Sequence, residues 1–457
     1  MDRMSALKIR KKSMVKELER VQVPADKIQM GMYVTGLDRP WKDSPFLLQG
    51  FVVSSPKVLE KLRNLCSFVY VDSKKSLRAP DADSQVFSPI GDGTAKNGKA
   101  SRKDPYRASK KKLPINKDRY VAKPQMTSSE MRTARESYKD VQKTLSGLLQ
   151  GISENSLADQ KYVDKASGTL VSSAISYPSS LSWLALIQKH NNKIYDHALR
   201  ASTWAVLCGR HIGLSESDLK WLAIGTMLKD IGKIRSMLKK AEEQSSSKAQ
   251  AQSIDIAKLS KLNKNVIEVI AHHRERFNGT GKPRGLEGEE IPLLARIATI
   301  ATAYDLSLNP LSKDREPMSP SQAARMIYTQ RGRAFQDELA IQFIEALGTY
   351  PLGTILQLDT GEVAVVVGQD DKHRLKPRII VVTDEAGQLI ENKRIANLGK
   401  AGEGDKGEYI NAKVMRDLSF SSIELNMADL LEEYDRLKQQ SETSRAGRFF
   451  KRLFIGR

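Results

Sequence analysis

The sequence predicts a mainly α-helical protein with a small α+β domain near its N-terminus and a small β appendage near its C-terminus. Three observations predict it. Residues 128 to 347 place apolar side chains at three- and four-residue spacing. Residues 20 to 75 and 348 to 400 carry short runs rich in Val, Ile and Tyr instead. Aromatic residues make up only 6% of the chain, while Ala, Leu, Ile and Glu crowd its middle. At 457 residues the chain exceeds a usual single domain, so about two or three folded units with linkers are expected.

Taken in order, IQMGMYVTGL and FVVSSP read as strands, KVLEKLRNL as a short helix and SFVYVD as a closing strand, giving a compact unit over 20–75. Residues 76–127 are rich in Lys, Arg, Ser, Gly, Asp and Pro and too poor in apolar residues for a core; they read as a flexible basic linker. Between 128 and 347 four helical stretches stand out: SSEMRTARESYKDVQKTLSGLLQGI, KIYDHALRASTWAVLCGRHI, ESDLKWLAIGTMLKDIGKI and DIAKLSKLNKNVIEVIAHH. TILQLDTG, EVAVVVGQ and RIIVVTDEAG then read as strands of an appendage over 348–400. Residues 401–457 read as a helical or mobile tail. In its end, RAGRFFKRLFIGR, Arg and Lys alternate with Phe, Leu and Ile, so that residues 445–457 suit peripheral contact with an anionic membrane.

A formal net charge of +20 implies a field that attracts phosphate-bearing partners. The two cysteines, Cys66 and Cys208, lie far apart, which excludes a disulfide framework and a cysteine zinc site and suits a reducing cytoplasm. The first twenty residues have no apolar core of signal-peptide length, and no run reaches about 18 apolar residues.

Chemistry concentrates in the helical region. Asp230 and Lys233 stand three apart on a predicted helix and so on one face, where they could share a ligand or pair. Around them lie His197 in YDHALRAS, then HHRERFNGTGKPRGLEGEEIPLLARI, then ATAYD. Gly279, Gly281 and Pro283 permit a tight loop whatever that loop binds.

This ordered set resembles the HD-GYP family, a branch of the HD-superfamily metal phosphohydrolases whose active members hydrolyse cyclic di-GMP. The resemblance covers roughly residues 130 to 400 and is most specific in ERFNGTGKPRGLEGEEIPLLARI. Residues 25 to 75 look like the domain of unknown function that often precedes the catalytic module. The resemblance implies a helical HD-superfamily bundle in a bacterial signalling protein. Its site would hold two or three iron or manganese ions among imidazoles and carboxylates, activating a water for attack on phosphorus.

Carried over position by position, His197 matches the first histidine ligand, Asp230 the aspartate of the His-Asp pair and Lys233 the lysine that contacts substrate phosphate. Lys229 stands where the histidine of that pair belongs. Without a gap, His273 falls on the first member of the later histidine pair and Arg274 on the second; a one-residue shift would make His272 and His273 the pair. Thr302 takes a ligand aspartate's place, Lys282 replaces the tyrosine of Gly-Tyr-Pro, and Asp305 matches an acidic position usually outside the metal's own ligands. A unit charge about 4 Å from another at an effective dielectric near 20 costs roughly 4 kcal/mol, and a divalent ion about twice that. Lys229 or Arg274 inside the coordination sphere would therefore oppose a metal.

The expectation is a degenerate, catalytically impaired member of the cyclic di-GMP system, without a cofactor, that acts by binding. Lys229, Lys233, Arg274, Arg276 and Lys282 are the candidate phosphate-binding cations, with cyclic di-GMP, diguanylate cyclase domains or other signalling proteins as partners. Two alternatives stay open. One is an iron- or manganese-dependent phosphodiesterase with the rearranged ligand set His197, Asp230, His272 and His273. The other is a basic adaptor at membranes or nucleic acid, of which nucleic acid is the less expected partner.

Overall fold

The computed structural model describes residues 20–38, 51–53, 56–72, 113–120, 127–155, 157–187, 193–238, 245–312, 314–368, 377–398, 408–418 and a few positions from 430 to 437. The basic run over 76–112 and the amphipathic end 445–457 lie outside these. The chain divides into two units, residues 1–108 and 109–457.

In the first unit, β1 (Arg20–Pro24), β2 (Tyr33–Leu37), β3 (Phe51–Val52) and β4 (Phe68–Asp72) form an antiparallel sheet in the order β1-β4-β2-β3. Alternation places Val23, Val34, Phe51, Val69 and Val71 in its core, where helix α1 (Pro56–Leu65) contributes Leu62. Arg63 of α1 donates to the carbonyls of Asp26 and Ile28, which fixes the turn after β1.

The second unit holds helices α2 (Ser128–Asn155), α3 (Gln160–Ser176), α4 (Pro178–Ile187), α5 (Lys193–His211), α6 (Glu216–Leu228), α7 (Ile231–Leu238), α8 (Ser246–Leu259), α9 (Lys264–His272), α10 (Leu293–Leu308), α11 (Pro320–Thr329) and α12 (Asp337–Leu347). Helix α5 is central, packed by α3, α4, α6, α10 and α12. Trp204 of α5 meets Tyr304 of α10 edge-on at 5.5 Å, and Tyr304 meets Phe343 of α12 at 5.3 Å, an arrangement that suits aromatic quadrupoles.

Two glycines set the helix spacing around the candidate site. A Cβ on Gly225 would lie 2.6 Å from Val269 Cβ, so α6 rests directly on α9. One on Gly232 would lie 2.1 Å from the carbonyl oxygen of Ala249, so α7 rests directly on α8. Lys229 and Asp230 lie between these contacts and are carried toward the end of α9.

Several predicted elements are corrected. ESDLKWLAIGTMLKDIGKI is two helices, because the chain turns at Lys229 and Asp230 and restarts at Ile231. DIAKLSKLNKNVIEVIAHH is also two: Lys261 takes a positive φ of 53° and the Asn263 side chain caps α9. Part of the linker segment is packed, since Asn116 N–H donates to Ile212 O at 2.8 Å, Lys117 pairs with Glu345 at 2.8 Å, and Tyr120 donates to Leu214 O at 2.8 Å.

The appendage extends into the segment read as tail. Its strands are β5 (Ile355–Leu358), β6 (Val363–Gly368), β7 (Arg378–Thr383), β8 (Leu389–Leu398), β9 (Tyr409–Ile410) and β10 (Val414–Leu418), in the order β10-β5-β6-β7-β8-β9. Asp417 of β10 accepts from Ser319 Oγ, Ser321 N–H and Ser321 Oγ at 2.7–2.8 Å, which ties the sheet to the start of α11. Among the described residues no single helix is long and apolar enough to cross a membrane.

Candidate functional site

Four segments bring the predicted residues together: α5 gives His197, the turn after α6 gives Lys229 and Asp230, the end of α9 gives His273 and Arg274, and α10 gives Asp305. The Lys229 side chain has no exposed surface. Its Nζ lies 3.0 Å from His197 Nε2 and pairs with Asp230 Oδ2. An ammonium only donates, so His197 Nε2 accepts and Nδ1 carries the proton, which it gives to Asp305 Oδ2 at 2.7 Å. Asp305, fully buried, also accepts from Arg200 Nε at 2.8 Å.

The second half repeats the pattern. His273 Nδ1 lies 2.9 Å from Ile270 O, a carbonyl that only accepts, so Nδ1 carries the proton. Its Nε2 accepts from Arg274 Nε at 3.1 Å. Arg274 Nη2 also donates to Asp230 Oδ1 at 2.8 Å. His273 and Arg274 both face Asp230. His272 points elsewhere, its Nδ1 4.0 Å from Glu275 Oε1 and without a hydrogen bond.

Burial, reinforced by the Lys229 charge, lowers the His197 pKa. Burial lowers that of His273 to about 3, against the pull of Asp230. Burial pushes the Asp230 carboxyl up, but Lys229, His273, His197 and Arg274 outweigh it and hold the group well below the usual carboxylate range. Asp305 follows the same logic, with Arg200 and His197 overcoming burial.

The sign of the resulting pH dependence is fixed. Both histidines have folded pKa values below the unfolded value near 6.5, so as pH falls below about 6.5, and for His273 down toward 3, the unfolded chain binds protons that the fold refuses. Stability is thus full above this window and falls as pH drops through it. For His273 the loss between pH 7 and pH 5 is about 2 kcal/mol. Urea unfolding at the two pH values measures it, and His273→Gln should flatten the slope. Below about pH 4 the depressed Asp230 and Asp305 pKa values add a further loss in the same direction.

The residues present do not fit a divalent ion. The lone pairs of His197 Nε2 and His273 Nε2, and both oxygens of Asp230, already accept from Lys229 or Arg274. Among the described residues no three His, Cys, Asp or Glu side chains are placed to hold one ion. Thr302 Oγ1 is buried without a hydrogen bond, and a hydroxyl supplies no charge to an ion.

Other assignments are refined. Lys229 is not available to an external phosphate, because its ammonium is enclosed by His197 and Asp230. Lys233 does not pair with Asp230 on a shared helix; it projects from α7 and is exposed, as are Arg276 and Lys282 in the loop after α9. That loop is built by Glu275, whose buried carboxylate accepts from the N–H groups of Arg284 at 2.8 Å and Leu286 at 3.2 Å. Gly281 is required there, since a Cβ would lie 2.2 Å from Arg276 N. Gly279 takes a φ of 76°, and the Lys282–Pro283 peptide is cis.

Sequence reasoning missed Arg200 and Glu275. Arg200 lies one helical turn after His197, on the same face, the spacing at which two side chains can share a carboxylate. The buried charge of Glu275 has no sequence signal beyond the glycines that follow it.

Comparison with known proteins agrees with this architecture. Residues 20–161 match a family described as a domain of unknown function (DUF3391), and residues 183–339 match the HD domain. The chain is thus an HD-domain protein with a DUF3391 domain ahead of it. More particularly, its relatives include several named cyclic di-GMP phosphodiesterases, in line with the HD-GYP resemblance. One from Pseudomonas aeruginosa is 23% identical over 403 residues, spanning 84% of this chain and 90% of the relative. The cyclic di-GMP phosphodiesterase response regulator RpfG of Xanthomonas campestris is 35% identical over 149 residues, but the match covers only 30% of this chain and 39% of that protein. A crystal structure of a cyclic GMP-AMP specific phosphodiesterase of Vibrio cholerae superposes with a TM-score of 0.27 at 20% identity, over 36% of this chain and 48% of the other.

Proposed function

We propose that this chain is a catalytically impaired signalling protein of the cyclic di-GMP system, acting by binding nucleotide or a partner protein rather than by hydrolysis. One observation carries the reading: Lys229 and Arg274 already occupy the nitrogen and oxygen atoms that would bond a catalytic metal. A divalent ion there would have to displace two protein cations and then face their repulsion.

Binding chemistry survives outside the buried cluster. Lys233, Arg276 and Lys282 are exposed, and Arg in particular grips phosphate through two parallel N–H bonds. The Glu275-braced loop that carries Arg276 and Lys282 is set by internal hydrogen bonds, so docking on it needs no metal.

Metal analysis of the purified full chain, with a cyclic di-GMP hydrolysis assay, tests the reading. The expected result is substoichiometric iron and manganese and no turnover; stoichiometric metal with product formation overturns it. Calorimetry with cyclic di-GMP separates the two modes of binding. If nucleotide is the ligand, Arg276→Ala or Lys233→Ala weakens it about tenfold or more, the worth of a charged hydrogen bond. If no heat is seen, the partner mode predicts co-elution with a diguanylate cyclase domain, lost on Arg276→Ala.

A further inference from the structure

The lysine at the centre of the cluster does more than block a metal. Its ammonium bridges His197 Nε2 on α5 and Asp230 Oδ2 at the turn between α6 and α7, as a positive ion bound between an imidazole and a carboxylate would. The imidazole is braced from behind: Nδ1–H donates to Asp305, and Arg200 holds Asp305 at 2.8 Å. A carboxylate behind a histidine is how proteins fix a metal-ligating ring and keep its Nε2 lone pair aimed at the ion. Here that bracing is intact, buried, and aimed at a lysine.

We infer that Lys229 is a tethered cation standing in the seat of a metal, and that its ammonium, rather than a lack of donor atoms at His197 Nε2 and Asp230 Oδ2, keeps a divalent ion out of that seat. The inference deepens the proposed function and rests on the same occupied donor atoms. An ammonium is a monocation with three fixed-length donors on its own stem. It satisfies His197 and Asp230 without recruiting further ligands.

Replacing Lys229 by histidine removes the competing charge and adds a third neutral or anionic ligand beside His197 and Asp230. Neutral imidazole and carboxylate suit first-row ions such as manganese, iron or zinc. Ligand binding to the folded state raises its stability by mass action, so the gain is readable without any activity.

The test uses the full chain as wild type, Lys229→His, Lys229→His with His197→Ala, and Lys229→Met. Each is dialysed against manganese or zinc chloride, analysed for bound metal, and melted with metal or with a chelator. Lys229→His should hold stoichiometric metal and melt roughly 5 °C higher with it at a hundredfold excess over Kd. Wild type and Lys229→Met should hold none and not respond, and adding His197→Ala to Lys229→His should abolish both effects. If Lys229→His does not fold without metal, refolding on addition of manganese or zinc supports the inference equally.

A folded Lys229→His chain that takes up no metal overturns the inference and leaves the proposed function standing. So does a Lys229→His chain that stays unfolded with metal while Lys229→Met folds. Stoichiometric metal in wild type overturns both the inference and the proposed function.

Discussion

Asp230→Ala should lower the unfolding free energy by roughly 3–5 kcal/mol, the usual penalty for orphaning one partner of a buried ion pair. Asp230 neutralises Lys229 on one oxygen and Arg274 on the other. Arg274 is 29% exposed at its side chain and can turn to water; Lys229, with none of its side chain exposed, cannot. Its charge would be left with only the His197 lone pair. The loss should therefore belong to the stranded ammonium rather than to missing contacts. Adding Lys229→Met to Asp230→Ala removes that charge, so the double variant should be more stable than Asp230→Ala alone. Urea unfolding of the wild type, both single variants and the double gives the coupling directly. Equal stability of Asp230→Ala and the double variant would refute the charge argument.

Asp305→Ala should cost a similar amount, roughly 3–5 kcal/mol, for a related reason with a different signature. Asp305 is the counter-ion of Arg200 and the acceptor for His197 Nδ1–H. Both partners are buried. A guanidinium cannot shed its proton in the accessible pH range, so the stranded Arg200 charge, and with it the loss in Asp305→Ala, persists at high pH. Asp305→Asn is not a mild replacement. Its amide offers one acceptor to Arg200, but its NH2 would oppose His197 Nδ1–H; flipping the tautomer would turn Nε2–H against the Lys229 ammonium. Unfolding curves of the two Asp305 variants at pH 7 and 10 check these outcomes, and recovery of Asp305→Ala at the higher pH would count against the assignment.

The cluster was largely legible in one dimension. His197, Lys229, Asp230, His273 and Arg274 were each singled out by their order along the chain, and the fold brings them together. What each cation does was not legible. Lys229 and Arg274 were both read as phosphate contacts, yet they turn inward onto Asp230, because an unpaired carboxylate in that setting costs more than the freedom of two side chains. Asp305 was singled out as an acidic position and does accept from His197, but its partner Arg200 carries no motif. The helix breaks at Asp230 and Lys261 were hidden because apolar periodicity continues across each of them.

By itself the sequence determined the class of fold, with an HD domain behind the N-terminal one. Periodicity fixes which residues must be buried, and residue type fixes which atoms can carry charge. Only the tertiary structure decided the direction in which those charges point. Gly225 and Gly232 bring α6 onto α9 and α7 onto α8, and the turn between α6 and α7 buries Lys229 against His197 and Asp230. A lysine in a sequence is a cation on a flexible stem. Surrounded by an imidazole lone pair and a carboxylate, with no solvent to reach, it becomes a counter-ion built into the core.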